Sequence, residues 1–176
     1  YFFDALIRQP PIEEDELDPS DNLEEFPRFS EEDIAHFVTE VKQSHSRSRG
    51  VVVNFGGTGF GDIARVPGIG LKHPKGIRDV TEWYISTLTR QDYIHAVFER
   101  QLEIAISNLS DVYDKFEEDP EVVFVCGTDF GTQESLFCSP DTFDSLYKPY
   151  YRRINDWIHE NTTSKTLKHT DGAVRE

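Results

Sequence analysis

Five polar side chains that could do chemistry follow three apolar runs of the sequence. Asn54 follows the first run, Asp129 and Gln133 follow the second, and His169 and Asp171 follow the third. Carboxylate and imidazole groups together suit zinc or iron, and the same groups can transfer protons. If the three runs are parallel strands, their ends meet at the edge of the sheet where active sites of such folds lie. This pattern predicts a pocket in which Asp129, His169 and Asp171 are catalytic, with His169 and Asp171 as metal ligands.

Other motifs indicate chemistry less strongly. The glycine-rich run Gly56–Gly61 lacks the lysine of a phosphate-binding loop, so we interpret it as a lid or pocket lining in which Phe60 contacts the substrate. Asn54 and Gln133 are predicted to contact the substrate from their strand ends. The tripeptide that begins at Asp129 matches the metal-binding DFG of protein kinases, but no other kinase motif accompanies it.

Simpler interpretations of the same residues stay open. Polar residues are common where strands pass into loops, and His169 beside Asp171 is also typical of a histidine held by a carboxylate for acid–base work or for structure. Cys126 is expected in the core. Cys138 precedes a helix start, where the pKa of a thiol can be lowered, but no histidine lies near it in the sequence.

The elements that must position these residues alternate along the chain. Apolar runs predict strands at residues 51–55, 122–125 and 166–169. Helical periodicity predicts helices at residues 34–45, 77–89, 91–117 and 140–160. The first lies behind a capping box that begins at Ser30, and the last starts with Ser139 and Pro140 and is expected to kink at Pro149. No hairpin signal lies between the strands, and this alternation is typical of an α/β fold with a parallel sheet and right-handed crossovers. Three strands are too few to close a barrel.

Composition and charge limit the classes of partner. The formal net charge of −15 argues against nucleic acids and anionic membrane surfaces, because both need a basic footprint on the protein. No apolar stretch reaches the roughly 20 residues of a membrane helix, and no secretory signal is visible. We therefore predict a cytoplasmic protein that acts on a small-molecule substrate.

The chain is predicted to form a single domain over residues 1–176. It begins at Tyr1 without a methionine and stops just after a strand-like run, so we expect a piece of a longer protein. Residues 10–30 are acidic and contain prolines, which predicts an excursion over the surface of this domain.

Most of the chain, roughly residues 50–174, resembles a known family. Residues 127–174 read GTDFGTQESLFCSPDTFDSLYKPYYRRINDWIHENTTSKTLKHTDGAV. This stretch resembles the uroporphyrinogen decarboxylase superfamily, in particular the branch shared with corrinoid-dependent methyltransferases. The family pattern runs approximately D-D-x-G-x-Q, a serine-proline helix start, a K/P-Y-Y helix, and H-S-C-G or H-S-D-G at the next strand. The upstream stretch WYISTLTRQDYIHAVFERQLEIAI resembles the helical pair that precedes the acidic strand end.

The resemblance implies a TIM barrel, of which this chain is a part, with a deep pocket at the C-terminal face. Asp129 and Gln133 match the pocket-lining acid and glutamine, and His169 matches the histidine that binds zinc in the methyltransferases. Thr128 stands where the first acid of the pair often sits, and Asp171 stands where zinc-binding members have cysteine.

The function implied is transfer of a methyl group between a small substrate or a corrinoid protein and an acceptor. Zinc, a corrinoid-carrying partner protein and a homodimeric assembly are the corresponding expectations. One alternative is a uroporphyrinogen decarboxylase, which works without a cofactor. Its tetra-carboxylate substrate would need an arginine cluster, and arginines are scarce at these strand ends. Another alternative is a barrel that binds a ligand or partner without catalysis, which the aspartate at position 171 favours.

Overall fold

Three short strands form one parallel sheet. They are β1 (Val52–Val53), β2 (Val122–Cys126) and β3 (Lys165–Lys168), and β2 lies between the other two. The computed structural model describes residue 9, residues 11–47 and residues 49–174. The predicted chain start at position 1 and the first position of the 10–30 excursion lie outside these ranges. In the described chain, the predicted parallel α/β fold is confirmed, while closure into a barrel stays a prediction.

Helices precede and connect the strands. They are α1 (Glu31–His45), α2 (Val80–Thr89), α3 (Gln91–Tyr113), α4 (Pro140–Thr142) and α5 (Lys148–Asn161), with two short 3-10 turns at Glu14–Glu16 and Pro19–Asn22. α1 begins where the sequence predicts, because Ser30 and Asp33 form a capping box in which each side chain accepts the other residue's backbone N–H. No helix in the described ranges is both long and apolar enough to cross a membrane.

α3 is the central helix of the core. It buries a stripe of residues spaced three or four apart: Ile94, Val97, Phe98, Gln101, Leu102, Ala105, Asn108, Leu109 and Val112. It ends at Tyr113 rather than near residue 117 as predicted. Its last turn tightens there, since the N–H groups of Lys115 and Phe116 bond the carbonyls three residues before them.

The helix predicted over residues 140–160 changes its winding along its length. Ser139 accepts the N–H of Thr142 and so begins α4, as the serine-proline start predicts. A π-helical turn, Phe143–Tyr147, then leads into α5. Pro149 is the second residue of α5, and a proline has no N–H to donate to the preceding turn. The interruption therefore lies just before the position where a kink is expected.

The two faces of the sheet differ in burial. Val53 and Val123 are 8% and 1% exposed and belong to the core. Val52 and Leu167, which point to the opposite face, are 60% and 46% exposed. Because neighbouring residues of a strand alternate between faces, the described helices cover one face of the sheet and leave the other uncovered.

The acidic 10–30 segment is anchored by buried polar groups. The Asn22 side chain is 4% exposed and exchanges two hydrogen bonds with the backbone of Ile77, at 2.8 and 2.9 Å. Arg78 is 1% exposed and pairs with Glu25 at 2.7 Å, and it also donates to the carbonyl of Asp21. A buried guanidinium needs such partners, so this part of the segment is fixed to the core.

Candidate functional site

The ends of β2 and β3 bring together the three residues predicted to be catalytic. Asp129, His169 and Asp171 each offer one oxygen or nitrogen atom, and these atoms all lie within 4.8 Å of one another. His169 Nε2 lies 3.4 Å from Asp171 Oδ1. β2 and β3 are parallel neighbours, so the loops that leave their carboxyl ends start side by side. We call these three residues the acid–histidine cluster.

Hydrogen bonds join the two loops and position the cluster. The backbone N–H of Asp171 donates to Asp129 Oδ1 at 2.7 Å. Three further bonds run between the loops: His169 N–H to the Cys126 carbonyl, Ala173 N–H to the Thr132 carbonyl and Phe130 N–H to the Thr170 hydroxyl. The loop after β3 therefore pairs with the loop after β2, which explains why residues far apart in sequence form one cluster.

Two glycines permit this close approach. Gly172 has a φ of 93°, and a Cβ placed on it would lie 2.3 Å from the carbonyl carbon and oxygen of Gly131. A Cβ on Gly131 would lie 2.8 Å from the backbone nitrogen of Ala173. Real Cβ atoms do not approach backbone atoms so closely, and residues other than glycine rarely adopt the φ of Gly172. Both positions therefore need glycine for the loops to touch.

The cluster is open to water. The side chains of His169 and Asp171 are 55% and 77% exposed, and Asp129 is half-buried. One oxygen of Asp129 accepts the Asp171 N–H, and the second has no hydrogen-bond partner among the described residues. The cluster thus presents one imidazole nitrogen and two carboxylates toward solvent at the carboxyl edge of the sheet.

These donors fit a divalent metal ion such as zinc. Zinc accepts histidine nitrogen and aspartate oxygen, and donor atoms around one tetrahedral ion lie about 3.4 Å apart. The His169 to Asp171 separation already has this value, and exposed side chains can rotate to close the remaining distances. Three protein ligands would leave one position for water or a substrate, which is typical of catalytic zinc sites.

Residues predicted to contact a substrate lie elsewhere. Asn54 lines a cavity of about 190 Å³ between the ends of β1 and β2, together with Gly57, Asp62 and Gly127, and no member of the acid–histidine cluster lines it. Gln133 is exposed in the turn after β2. The two residues therefore do not meet in one pocket.

Phe60, which the sequence predicts to contact a substrate, lies in the core. Its ring is 0% exposed and packs edge-on against Phe98 and Tyr151, with ring centroids 5.7 and 5.2 Å away. Thr128, which takes the place of an acid in the resemblance, is also buried. Its hydroxyl accepts the Tyr151 hydroxyl at 2.9 Å and donates to the Phe60 carbonyl. Both residues pack the interior instead of facing the cluster.

A second cavity, which the sequence did not predict, lies beside the cluster. Its volume is about 450 Å³, and its lining includes Phe130, Cys138, Phe143 and Lys168. Loss of surrounding water lowers the pKa of Lys168. Burial raises the pKa of the Cys138 thiol, which makes this cysteine a weaker nucleophile at neutral pH. The sequence signal was a lysine at the end of a strand, but the rings around it come from distant segments.

Comparison of the chain with known protein families, with curated proteins and with solved structures finds no match.

Proposed function

We propose that this chain is part of a metal-dependent enzyme similar to the methyltransferases of the uroporphyrinogen decarboxylase superfamily. In this proposal Asp129, His169 and Asp171 hold a zinc ion. The enzyme would move a methyl group between a small substrate or a corrinoid protein and an acceptor. The observation that carries the proposal is the convergence of these three side chains within 4.8 Å at the carboxyl edge of a parallel sheet.

Each residue of the cluster has a distinct role in this proposal. His169 supplies the nitrogen donor, and Asp171 supplies an oxygen where the resembling family has a cysteine sulfur. Asp129 contributes its second oxygen while the first orients the loop through the Asp171 N–H. Such an outer hydrogen bond fixes a metal-binding side chain in place. A zinc ion held there would act as a Lewis acid toward an acceptor group such as a thiol.

The architecture supports a barrel as the setting of this site. The strands are parallel and lie in the order in which they occur along the chain. Barrels have this order with helices on the outer face only, whereas doubly wound sheets carry helices on both faces. The exposed Val52 and Leu167 lie on the uncovered face, as inward-pointing residues of a barrel strand would. We therefore propose that the three strands are a segment of a (β/α)8 barrel.

Metal binding is the first test. We expect the purified protein, dialysed against zinc and analysed by elemental mass spectrometry, to retain one zinc ion per chain. His169→Ala and Asp171→Asn should each weaken zinc binding by about tenfold or more. Loss of a group that only supports a metal ligand already lowers metal affinity by about tenfold or more.

His73→Ala is the matched control, because His73 is an exposed histidine in the loop between β1 and α2. It should bind zinc as the unchanged protein does. The proposal is overturned if the unchanged protein retains no metal, or if His169→Ala and His73→Ala bind zinc equally well.

Methyl transfer is the second test. With methylcobalamin and a small thiol, a carbon–sulfur bond forms as the cobalt–carbon bond breaks, the thiol releases a proton and the cobalamin leaves as cob(I)alamin. We expect the absorbance of cob(I)alamin to appear with the zinc-loaded full-length protein and not with His169→Ala. Absence of turnover despite zinc binding would leave the metal site in place and reject the methyltransferase.

A decarboxylase is the second candidate. The described lining of the 450 Å³ cavity holds one cation, Lys168, and no arginine. A substrate with several carboxylates would need more cationic partners than this. Turnover of a porphyrinogen by metal-free protein would favour this candidate over the methyltransferase.

A further inference from the structure

The 450 Å³ cavity beside the acid–histidine cluster has mainly apolar walls. It is lined mainly by apolar side chains, among them Phe130, Leu136, Pro140 and Phe143, and it is of a size that can take a small organic molecule. Its described lining contains no aspartate or glutamate, although the chain has 33 acidic residues and a net charge of −15. Among the described residues, the cavity is therefore an apolar region without acids on an acidic protein.

Lys168 supplies the one cation among the described residues of this lining. Its Nζ lies 3.8 Å from the ring centroid of Tyr151, 4.4 Å from that of Phe130 and 5.4 Å from that of Phe143. No carboxylate of the described residues pairs with it. Ring faces attract an ammonium group but leave its N–H bonds without an acceptor. A cation in such surroundings gains most from an anion that it can hydrogen-bond.

The position of Lys168 follows from the alternation of β3. Leu167 and Lys165 point to the uncovered face of the sheet, whereas Lys168 points to the face covered by α5, where Tyr151 lies. β3 ends at Lys168, so the side chain reaches the rim of the core and not its centre. Lys168 as a whole residue is exposed, so its amine lies over the rings at the solvent side of the cavity.

The other polar groups of the lining are already engaged or weak. The Thr170 hydroxyl accepts the Phe130 N–H at 2.9 Å. Cys138 offers a thiol, which is a weak donor and acceptor. Lys168 therefore dominates the electrostatics of the cavity.

We propose that this cavity binds a small molecule with an apolar or aromatic body and one carboxylate group, and that Lys168 receives the carboxylate. The rings hold the ammonium in place, and the apolar walls pack against the body of the ligand. This site goes beyond the proposed metal site, because no member of the acid–histidine cluster lines the cavity. Its test can succeed or fail independently of zinc binding.

Three probes of one shape and different charge test the proposal. They are 4-phenylbutyrate (anionic), 4-phenylbutan-1-ol (neutral) and 4-phenylbutylamine (cationic), each titrated into chelator-treated protein by calorimetry or NMR. We expect the carboxylate to bind at least about tenfold more tightly than the alcohol, as a charge-assisted hydrogen bond allows. The amine should bind most weakly. Chelation removes any metal that could itself hold a carboxylate.

Lys168→Met removes the charge and keeps most of the length of the side chain, so the preference for the carboxylate over the alcohol should disappear. Lys168→Arg should keep the preference. Lys165→Met is the matched control, since Lys165 is an exposed lysine of the same strand and lies outside the cavity. It should behave like the unchanged protein.

Alkylation of Cys138 locates the ligand. Cys138 lines the cavity, whereas Cys126 is 3% exposed and should react little. We expect 4-phenylbutyrate to slow the reaction of Cys138 with N-ethylmaleimide, as measured by mass spectrometry.

Equal affinity for the carboxylate and the alcohol would overturn the proposal. Tightest binding of the amine would also overturn it, because the rings would then form a cation site. Binding that leaves Cys138 unprotected would place the ligand elsewhere and overturn it too.

Discussion

Two adjacent residues at the end of β3, Lys168 and His169, belong to regions of opposite character. Lys168 lies over aromatic rings in a cavity whose described lining has no acid. His169 points into solvent beside Asp129 and Asp171. A strand sends neighbouring side chains to opposite sides, so a single step along the chain separates an apolar cationic site from an open anionic one.

The loop after β2 repeats this division. Thr128 and Phe130 are 2% and 9% exposed and pack in the interior. Asp129 between them points toward His169 and Asp171. One pair of strand ends can therefore support two separate sites. A polar residue at a strand end does not by itself identify a site, because its position in the alternation of the strand decides which side it faces.

The largest expected difference between the two regions is in stability. Phe130→Ala removes a ring that packs edge-on against Phe143, Tyr147 and Tyr151, and it should lower the free energy of unfolding by about 3 kcal/mol. Asp129→Ala removes one half-buried carboxylate and its hydrogen bond to Asp171, and should cost about 1 kcal/mol. Urea unfolding measures both values. Equal losses would show that the two sides of the loop do not differ in packing.

A change confined to the contact between the loops should act next most strongly. Gly172→Ala forces a Cβ against the Gly131 backbone at a φ of 93°, so the loops must separate. Zinc affinity should fall by about tenfold or more. The amides of Asp171 and Ala173 should lose protection from hydrogen exchange, because their acceptors lie on the other loop.

Gly127→Ala is the control for this change. A Cβ on Gly127 would meet the Phe124 ring at 3.5 Å, an ordinary contact, and its φ lies outside the strained region. It should leave both the exchange rates and zinc affinity nearly unchanged. If Gly172→Ala behaves in the same way, close approach of the loops does not position the cluster.

The smallest expected effect is a pH dependence that comes from Lys168. Loss of surrounding water lowers the pKa of Lys168 below the ordinary 10.5, and the neighbouring Cys126 acts in the opposite direction. Between the lowered pKa and 10.5, the unfolded chain binds a proton that the folded chain has released. The free energy of unfolding of the unchanged protein, relative to Lys168→Met, should therefore rise with pH across this window.

Urea unfolding of both proteins at several pH values in this alkaline range checks the sign. Burial also raises the pKa of Tyr151. This residue is present in both proteins, so its effect cancels in the difference between their free energies of unfolding. A relative free energy that falls with rising pH would mean that ring attraction for the ammonium outweighs its loss of water.

The features predicted correctly from the sequence depend on local chemistry. The capping box at Ser30, the serine-proline start at Ser139 and the strand of β2 each follow from residues within a few positions of one another. The acid–histidine cluster was also predicted, because parallel strands bring their carboxyl ends to one edge whatever the details of packing.

The features that were missed depend on distant partners. Phe60 follows a glycine-rich loop and was expected at a pocket, but rings from α3 and α5 enclose it. The rings around Lys168 come from α5, the loop after β2 and the π-helical turn. Periodicity within one segment carries no information about such partners.

The pairing of the sheet also has a consequence for the chain entropy of folding. β2 meets β3 across a shorter stretch of chain than it meets β1, since register pairs Val122 with Lys165 on one side and with Val52 on the other. Closing a longer loop costs more chain entropy. The difference between these two closures is about 0.4 kcal/mol and favours the unit of β2, α5 and β3, so the loops that carry both proposed sites need less chain ordering than the pairing with β1 does.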